Sequence, residues 1–275
     1  MSSGLATRVL TGLVLAPTVV LAIVFLPAPA FALLVSVLML AGFWEWTRLA
    51  GMSGRPLRAA ALAVLAAGFA ALALRAGPQD LLVLAWVACG FWLLALGWLR
   101  WPRLGAGAGT GAVVLKVAAG ALLLAGAWAG AILVREHLAQ GPGWLIACLA
   151  VVYGGDSAAY FSGRRFGRRK LAPAISPGKT WAGLYGALAG TVPVALAAGW
   201  LLGLSGGRLA AWLLLALACL LLSVLGDLIE SVLKRQAGVK DSGRLFPGHG
   251  GVLDRGDSLF AALPAFAVGL FWLLA

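Results

Sequence analysis

The sequence predicts an all-α, polytopic integral membrane protein with about nine transmembrane helices. Of its 275 residues, 62% are hydrophobic and only 11% are charged. Soluble domains are about 45–50% apolar and roughly a quarter charged, so this composition excludes a water-soluble globule. It also excludes a disordered chain, and the short polar stretches leave no room for a large nucleic-acid-binding domain.

Apolar runs separated by charged or Gly/Pro-rich breaks support this prediction, because a membrane-spanning helix needs about 20 apolar residues. The runs cover 9–26, 29–47, 59–74, 81–99, 113–134, 144–162, 181–203, 209–233 and 259–275. We see no internal repeat and no linker between separate domains. We therefore divide the chain only into N-terminal spans one to five (1–140) and a C-terminal region (141–275) with two polar loops, 163–180 and 234–258.

The positive charges predict the orientation. The chain carries 21 Lys and Arg against 9 Asp and Glu, a net charge of +12. With the N-terminus inside, the inner segments hold 17 of the 21 basic residues, and the outer segments hold only Arg75, Arg135 and Arg208. Because cytoplasmic loops are enriched in Lys and Arg, the N-terminus and both polar loops are predicted to be cytoplasmic. We expect a multi-pass protein of the cell inner (plasma) membrane, with the lipid bilayer as its first partner.

The acidic residues are concentrated in the C-terminal region. Asp80 and Glu136 fall in predicted outer loops, and Glu45 is expected to contact Arg48, three residues on, at the membrane edge. The other six carboxylates are Asp156, Asp227, Glu230, Asp241, Asp254 and Asp257. An acid inside a membrane is costly unless it has a partner, and clustered carboxylates suit a hard divalent cation. This concentration therefore predicts a functional site.

The eighth apolar run ends in a polar stripe. Asp227, Glu230 and Lys234 are spaced i, i+3 and i+7, so they share one face of a helix. One interpretation is a structural ion pair between Glu230 and Lys234. We favour a functional stripe because of the loop that follows it.

That loop, 240–258, combines acids, bases and five glycines around a single histidine, His249. Glycines let backbone N–H groups turn toward an anion, and Arg and Lys neutralise phosphate oxygens. Asp254 and Asp257 are spaced to share a helical face. This is the inventory of phosphoryl or nucleotidyl transfer. His249 could be an ordinary loop histidine with a satisfied hydrogen bond, although its glycine neighbours favour a functional role.

The other polar loop carries five basic residues within seven positions, which we interpret mainly as the positive-inside anchor of span six. Ser176 followed by Pro177 predicts a helix start, and Lys179 beside a helix N-terminus would suit phosphate. A P-loop is rejected, since Pro173 occupies the required glycine position and no strand is expected before it. Asp156, late in span six, is expected to face the same polar cavity as the other acids.

The motifs resemble those of one known family. They are Ser231-Val-Leu-Lys234-Arg235, Lys240-Asp241, Pro247-Gly-His249-Gly250-Gly251 and Asp254-Arg255-Gly-Asp257, with Gly226-Asp227-Leu-Ile-Glu230, Asp156-Ser157 and Ser176-Pro-Gly-Lys179-Thr180-Trp181 upstream. The sequence thus resembles the phosphatidate cytidylyltransferase (CDP-diacylglycerol synthase) family over roughly 150–260. The first 140 residues match only as generic spans. Ala182 departs from the pattern, because the family usually has Glu or Gln there.

The resemblance implies that phosphatidic acid attacks CTP to give CDP-diacylglycerol and pyrophosphate, a step of phospholipid biosynthesis, in the C-terminal region. We expect Mg²⁺, with a second cation such as K⁺, to be held by Asp227 and Asp254 with support from Glu230. The predicted catalytic residues are Asp227, Asp254, Lys234, Asp241, His249 and Asp257. The residues predicted to bind CTP and the lipid phosphate are Ser176, Lys179, Thr180, Arg235, Lys240, Gly250, Arg255 and Asp156. The expected partners are CTP, phosphatidic acid and a second copy in a homodimer, with no nucleic acid.

Two alternatives stay open on the sequence alone. The first is a cytidylyltransferase or kinase that acts on an isoprenoid lipid, because the apolar spans do not reveal the acceptor. The second is an ion-coupled transporter whose acidic stripe carries ions or protons. Against the transporter, the acids cluster at one predicted membrane face, and the outer half has no matching set.

Overall fold

A computed structural model describes residues 3–107, 109–243, 245 and 250–274, with side chains from residue 13 onward. The described ranges form nine α-helices and one β-hairpin. The elements are α1 (Ser3–Phe25), α2 (Ala28–Leu49), α3 (Arg55–Arg75), α4 (Pro78–Arg100), α5 (Thr110–His137), α6 (Gly141–Phe166), β1 (Lys170–Ala172), β2 (Ser176–Thr180), α7 (Trp181–Leu201), α8 (Gly206–Gln236) and α9 (Leu253–Leu274). Each predicted apolar run overlaps one of these helices.

The helices α2 to α9 are each long and apolar enough to cross a membrane, and α1 contains a shorter apolar segment, Leu13–Phe25. A helix rises about 1.5 Å per residue, so even α3, with 21 residues, is about 31 Å long and matches the hydrocarbon core. The prediction of an all-α, polytopic membrane protein is therefore confirmed.

Helix α5 lies at the centre of the bundle, where it contacts α2, α4, α6 and α9. Trp128 on α5 is fully buried, donates its indole N–H to Ser36 Oγ at 2.9 Å and stacks on Phe69. Gly130 lets α9 approach closely, since a Cβ there would lie 2.7 Å from the carbonyl oxygen of Leu263. Small residues at such crossings are typical of membrane helices, which associate mainly through close packing.

The helices of the C-terminal region pair in the same way. Helix α7 packs on α6 at Gly186, where a Cβ would overlap the side chain of Ser162. Helix α8 packs on α9 at Gly226, where a Cβ would overlap the backbone of Asp257 and lie 2.8 Å from Ala261 Cβ. The second crossing brings the polar stripe of α8 against the first turns of α9.

The polar loop between α6 and α7 folds into an antiparallel hairpin, with Lys170 opposite Thr180 and Ala172 opposite Ser176. The predicted helix start at Ser176 is therefore wrong. Helix α7 begins five residues later because Thr180 is its N-cap, with Thr180 Oγ1 accepting from the N–H of Gly183 at 3.1 Å. A two-stranded hairpin tolerates Pro177, since a proline is compatible with an edge strand.

Ile175, at the turn of the hairpin, anchors it to the bundle. It is buried against Leu228 and Val232 of α8, and its carbonyl oxygen accepts from Arg235 Nε at 3.3 Å. The hairpin thus lies on the C-terminal half of α8, the segment that carries the polar stripe.

The α8–α9 crossing predicts a stability effect. Gly226→Ala introduces a Cβ that overlaps the backbone of Asp257, so the two helices must separate and the apparent unfolding temperature in detergent should fall by several degrees. Gly90→Ala on α4 is the matched control, because its Cβ would meet nothing within 4 Å and alanine favours a helix. Equal unfolding temperatures for the two variants would contradict the close crossing.

Candidate active site

A cavity of about 530 Å³ lies between α6, α8 and α9. Its lining residues are Tyr153, Asp156, Ser157, Tyr160 and Phe161 of α6, Asp227 of α8, and Asp254, Arg255, Asp257 and Ser258 of α9. Four carboxylates and one guanidinium therefore face one space inside a predominantly apolar bundle. Such groups are rare within a membrane and mark functional sites.

Asp227 is the carboxylate of the α8 stripe that opens into the cavity. Its Oδ2 lies 2.7 Å from Lys179 Nζ of the hairpin, and its Oδ1 lies 3.4 Å from Ser231 Oγ. The Asp227 side chain is 32% exposed, so the ion pair leaves part of the carboxylate accessible from the cavity. Lys179 and Asp227, which the sequence places 48 positions apart, are thus brought together by the hairpin.

Asp254 is more enclosed, with a side chain only 6% exposed. Its Oδ1 accepts from Lys234 Nζ at 2.9 Å. Its Oδ2 accepts from the N–H of Ser242 at 2.9 Å and from the N–H of Gly251 at 2.8 Å, and it lies 2.9 Å from the Ser242 hydroxyl oxygen. Gly250 has a φ of +84°, and a Cβ there would overlap this carboxylate, so glycine is required. Asp254 therefore holds the loop that precedes α9.

Lys234 joins α8 to α9. Besides Asp254, its Nζ lies 3.2 Å from Glu230 Oε2. The ion pair between Glu230 and Lys234 that the sequence left open is therefore present. Glu230 is 2% exposed, and neither of its oxygens has a hydrogen-bond partner among the described residues. Glu230 lies behind the cavity rather than in its lining, so its charge is balanced chiefly by Lys234.

The other predicted site residues lie in the cavity lining, in or beside the hairpin, or on the exposed surface, and one is outside the described residues. Arg255 lines the cavity, and its carbonyl oxygen accepts from the Tyr153 hydroxyl at 3.2 Å. Arg235, Ser176 and Thr180 belong to the hairpin and its anchor, and Thr180 is occupied as the α7 cap. Lys240 and Asp241 are exposed. His249 lies outside the described residues, whereas Gly250 beside it is described.

The expected contact between Glu45 and Arg48 is wrong: both residues are described, and no ion pair joins them. Glu45 instead accepts hydrogen bonds from Ser242 Oγ and from the N–H groups of Val252 and Leu253, and Arg48 donates to the Ser242 carbonyl oxygen. The sequence holds one signal that could have revealed this, namely an acid inside a predicted membrane helix.

The donor set suits a hard cation that arrives with its substrate. Among the described residues, no three His, Cys, Asp or Glu side chains converge as a ready-made metal site. Mg²⁺ is usually held by one or two carboxylates together with substrate phosphates and water. Asp227 and Asp254, which line one cavity, supply such a pair, and Asp227 is the more accessible of the two. The residues therefore fit Mg²⁺ as a partner of a nucleotide phosphate.

Fold and cavity together define a polytopic membrane protein with a phosphate-compatible site inside the bundle. A family model described as the Cytidylyltransferase family matches residues 6–273. The chain therefore belongs to the cytidylyltransferase family, and the resemblance seen in the sequence is confirmed.

Three relatives are similar over nearly the whole chain, and each is named phosphatidate cytidylyltransferase. The protein of Pseudomonas aeruginosa is 43% identical over 284 residues, covering 98% of this chain and 97% of its own length. That of Haemophilus influenzae is 36% identical, covering 98% and 100%. That of Brucella suis is 38% identical, covering 94% and 91%. The similarity thus extends through the N-terminal spans, which the motifs alone did not include.

The position of Lys234 predicts a large stability effect. Lys234→Met leaves Glu230 and Asp254 without their shared cation, and breaking a buried ion pair costs about 3–5 kcal/mol. We expect a clearly lower unfolding temperature in detergent, partly restored when Glu230→Gln removes one of the two carboxylates. Lys240→Met, the same change at an exposed position, should leave the unfolding temperature unchanged. A Lys234→Met protein as stable as the wild type would contradict the shared-cation interpretation.

Proposed function

We propose that this chain is a phosphatidate cytidylyltransferase, which forms CDP-diacylglycerol and pyrophosphate from CTP and phosphatidate. The observation that carries the proposal is the cavity in which Asp227, Asp254 and Arg255 meet, within a chain of the cytidylyltransferase family. Anionic substrates need cations there, and the acids fix those cations in place.

The reaction is an in-line displacement at phosphorus. A phosphate oxygen of phosphatidate attacks the α-phosphorus of CTP, a new P–O bond forms, and the bond to the β-phosphate oxygen breaks with release of pyrophosphate. No covalent intermediate on the protein is required. Catalysis therefore consists of aligning the two phosphates and neutralising their charge.

The chain supplies cations from three elements. Lys179 reaches the cavity from the hairpin through Asp227, and Arg255 lines it from the first turns of α9. Lys234 holds Asp254 from α8. In the proposed complex Lys179 and Arg255 contact the CTP and lipid phosphates, whereas phosphate-binding roles for Arg235 and Lys240 stay predictions. Lys234 orients Asp254 through the contact between Nζ and Oδ1. Roles for Asp241 and His249 stay predictions.

We infer that Asp227 and Asp254 hold Mg²⁺, with Glu230 as an electrostatic support behind them. When bound, the ion neutralises negative charge on the phosphates and so reduces the electrostatic repulsion between the two substrates. A second cation such as K⁺ stays an expectation, as does a homodimer, which mass measurement in nanodiscs would test.

The position of the cavity within the bundle suits one substrate from water and one from the lipid bilayer. Asp227 lies nine residues before the end of α8, which is about 14 Å along the helix. Tyr160 and Phe161 on the cavity wall are strongly exposed, as expected for side chains beside lipid. We propose that the site opens to the cytoplasm of an inner-membrane protein, so that CTP enters from water and phosphatidate from the bilayer.

The central test is an assay of purified protein with labelled CTP, Mg²⁺ and phosphatidic acid. Asp227→Asn should lower the rate of CDP-lipid formation by at least about 100-fold, because it removes the accessible carboxylate, and EDTA should abolish the reaction. Asp80→Asn is the matched control, since Asp80 is exposed at the start of α4 and, within the described part of the chain, its side chain accepts only from the N–H of Gly77.

Other outcomes would revise the proposal in defined ways. Product with an isoprenoid phosphate and none with phosphatidate would reassign the acceptor. Full Mg²⁺-dependent activity in Asp227→Asn would remove that residue from the metal site. A protein that does not bind CTP but carries ion flux in proteoliposomes would be a transporter.

A further inference from the structure

Glu45 links the N-terminal half of the chain to the loop that precedes α9. It lies on α2, near the end of that helix, and is 8% exposed. Its Oε2 accepts from Ser242 Oγ at 2.8 Å and from the N–H of Leu253 at 2.9 Å, and its Oε1 accepts from the N–H of Val252 at 3.1 Å. These partners are about 200 positions away along the chain and mark the two ends of one loop, 242–253.

The backbone closes around this carboxylate. A Cβ on Gly243 or on Gly251 would overlap the Glu45 carboxylate oxygens, so both glycines allow the loop to approach. One turn further along α2, Arg48 donates to the carbonyl oxygen of Ser242. Helix α2 therefore contacts Ser242 at both its side chain and its backbone.

Ser242 transmits this contact to the cavity. Its hydroxyl oxygen lies 2.8 Å from Glu45 Oε2 and 2.9 Å from Asp254 Oδ2, and its N–H also donates to Asp254 Oδ2. A serine hydroxyl has one proton to donate, so it donates to only one of the two carboxylates at a time, and its orientation depends on both. Ser242 is fully buried, so bulk water cannot replace either carboxylate as its partner.

We propose that Glu45 is a positioning residue for cytidylyl transfer: it fixes both ends of the loop 242–253 and, through Ser242, orients Asp254. The kinetic part of this inference rests on the proposed function, whereas the effect on the loop does not. Glu45 does not line the cavity, so it acts through Ser242 and the start of α9 rather than on a substrate.

The physical reason is the cost of unpaired polar groups in a membrane protein. The first N–H groups of a helix have no partner within that helix, and at α9 Glu45 accepts from two of the backbone groups, Val252 and Leu253, at this end. Without an acceptor these buried N–H groups would each carry a desolvation cost. Ser242, Val252 and Leu253 would then no longer be fixed, and Asp254 would lose its oriented donors at Ser242 and Gly251.

The first experiment is hydrogen exchange on the full-length protein in detergent, without nucleotide or added metal. In Glu45→Gln only one terminal atom of the side chain can accept, so at least one of the three donors loses its partner. We expect peptides that contain Val252 and Leu253 to exchange faster, with peptides of α6 and α7 unchanged. Unchanged exchange at Val252 and Leu253, or an equal increase throughout the protein, would overturn the proposal.

The second experiment is kinetic. Because Asp254 would be less well oriented toward the metal and the CTP phosphates, Glu45→Gln should raise the KM for CTP by about tenfold and increase the Mg²⁺ concentration needed for half-maximal rate. Loss of folded protein alone would lower kcat and leave both quantities unchanged. Glu136→Gln is the matched control, since Glu136 lies at the opposite end of the helices and pairs with Arg135.

Ser242→Ala provides an independent variant if Glu45→Gln folds poorly. It removes the hydroxyl between the two carboxylates, so it should raise the KM for CTP in the same way. The double variant should be no worse than the more affected single one, because both act through one contact. Additive effects in the double variant would contradict transmission through Ser242.

The two proposals can fail separately. If the wild type forms no CDP-lipid, the proposed function fails, and the exchange experiment still decides whether Glu45 fixes the loop. If the wild type is active and Glu45→Gln shows faster loop exchange but unchanged kinetics, the positioning role is overturned while the function stands.

Discussion

The structure depends on one constraint: a charged group inside an apolar bundle must have a partner. Four acids in or near the cavity meet this requirement through a described partner. Asp227 pairs with Lys179 of the hairpin, Asp254 and Glu230 share Lys234, and Glu45 accepts from both ends of the loop before α9. Because an unpartnered charge is so costly in a membrane, these pairs determine how α2, α8, α9 and the hairpin are arranged.

Close helix crossings make the pairing possible. At Gly226 the helices α8 and α9 approach to backbone contact. This close crossing brings Lys234 of α8 within reach of Asp254 of α9. It also places Asp257 of α9 in the same cavity as Asp227 of α8. The hairpin brings Lys179 close to Asp227 in a similar way, because Ile175 packs against Leu228 and Val232 of α8 and so anchors the hairpin on that helix. Apolar packing therefore sets the distances, and the ion pairs then select one register of the helices.

The sequence predicts most of the fold, because apolar runs and charged breaks report directly on spans in a bilayer. It does not predict the hairpin, since Ser176-Pro177 has the local features of a helix start, and the decisive cap, Thr180, becomes evident only when Gly183 is seen to donate to it. Within the site, the polar stripe of α8 indicates Asp227 and Lys234 because their spacing is local. The role of Glu45 depends on partners nearly 200 positions away, which no local pattern contains.

The same pairing explains how a site rich in acids can serve two anionic substrates. In the proposed reaction two phosphate groups must meet, and free lysines in an apolar cavity would lose hydration without a partner to replace it. Lys179 avoids this loss of hydration because it is already paired with the Asp227 carboxylate. A phosphate that binds Lys179 therefore replaces Asp227 as the partner of the ammonium group. In the proposed site Asp227 would then be free to bind Mg²⁺, and substrate binding and metal binding would be coupled. Asp254 keeps its position during this exchange, because Lys234 and the N–H groups of Ser242 and Gly251 donate to it.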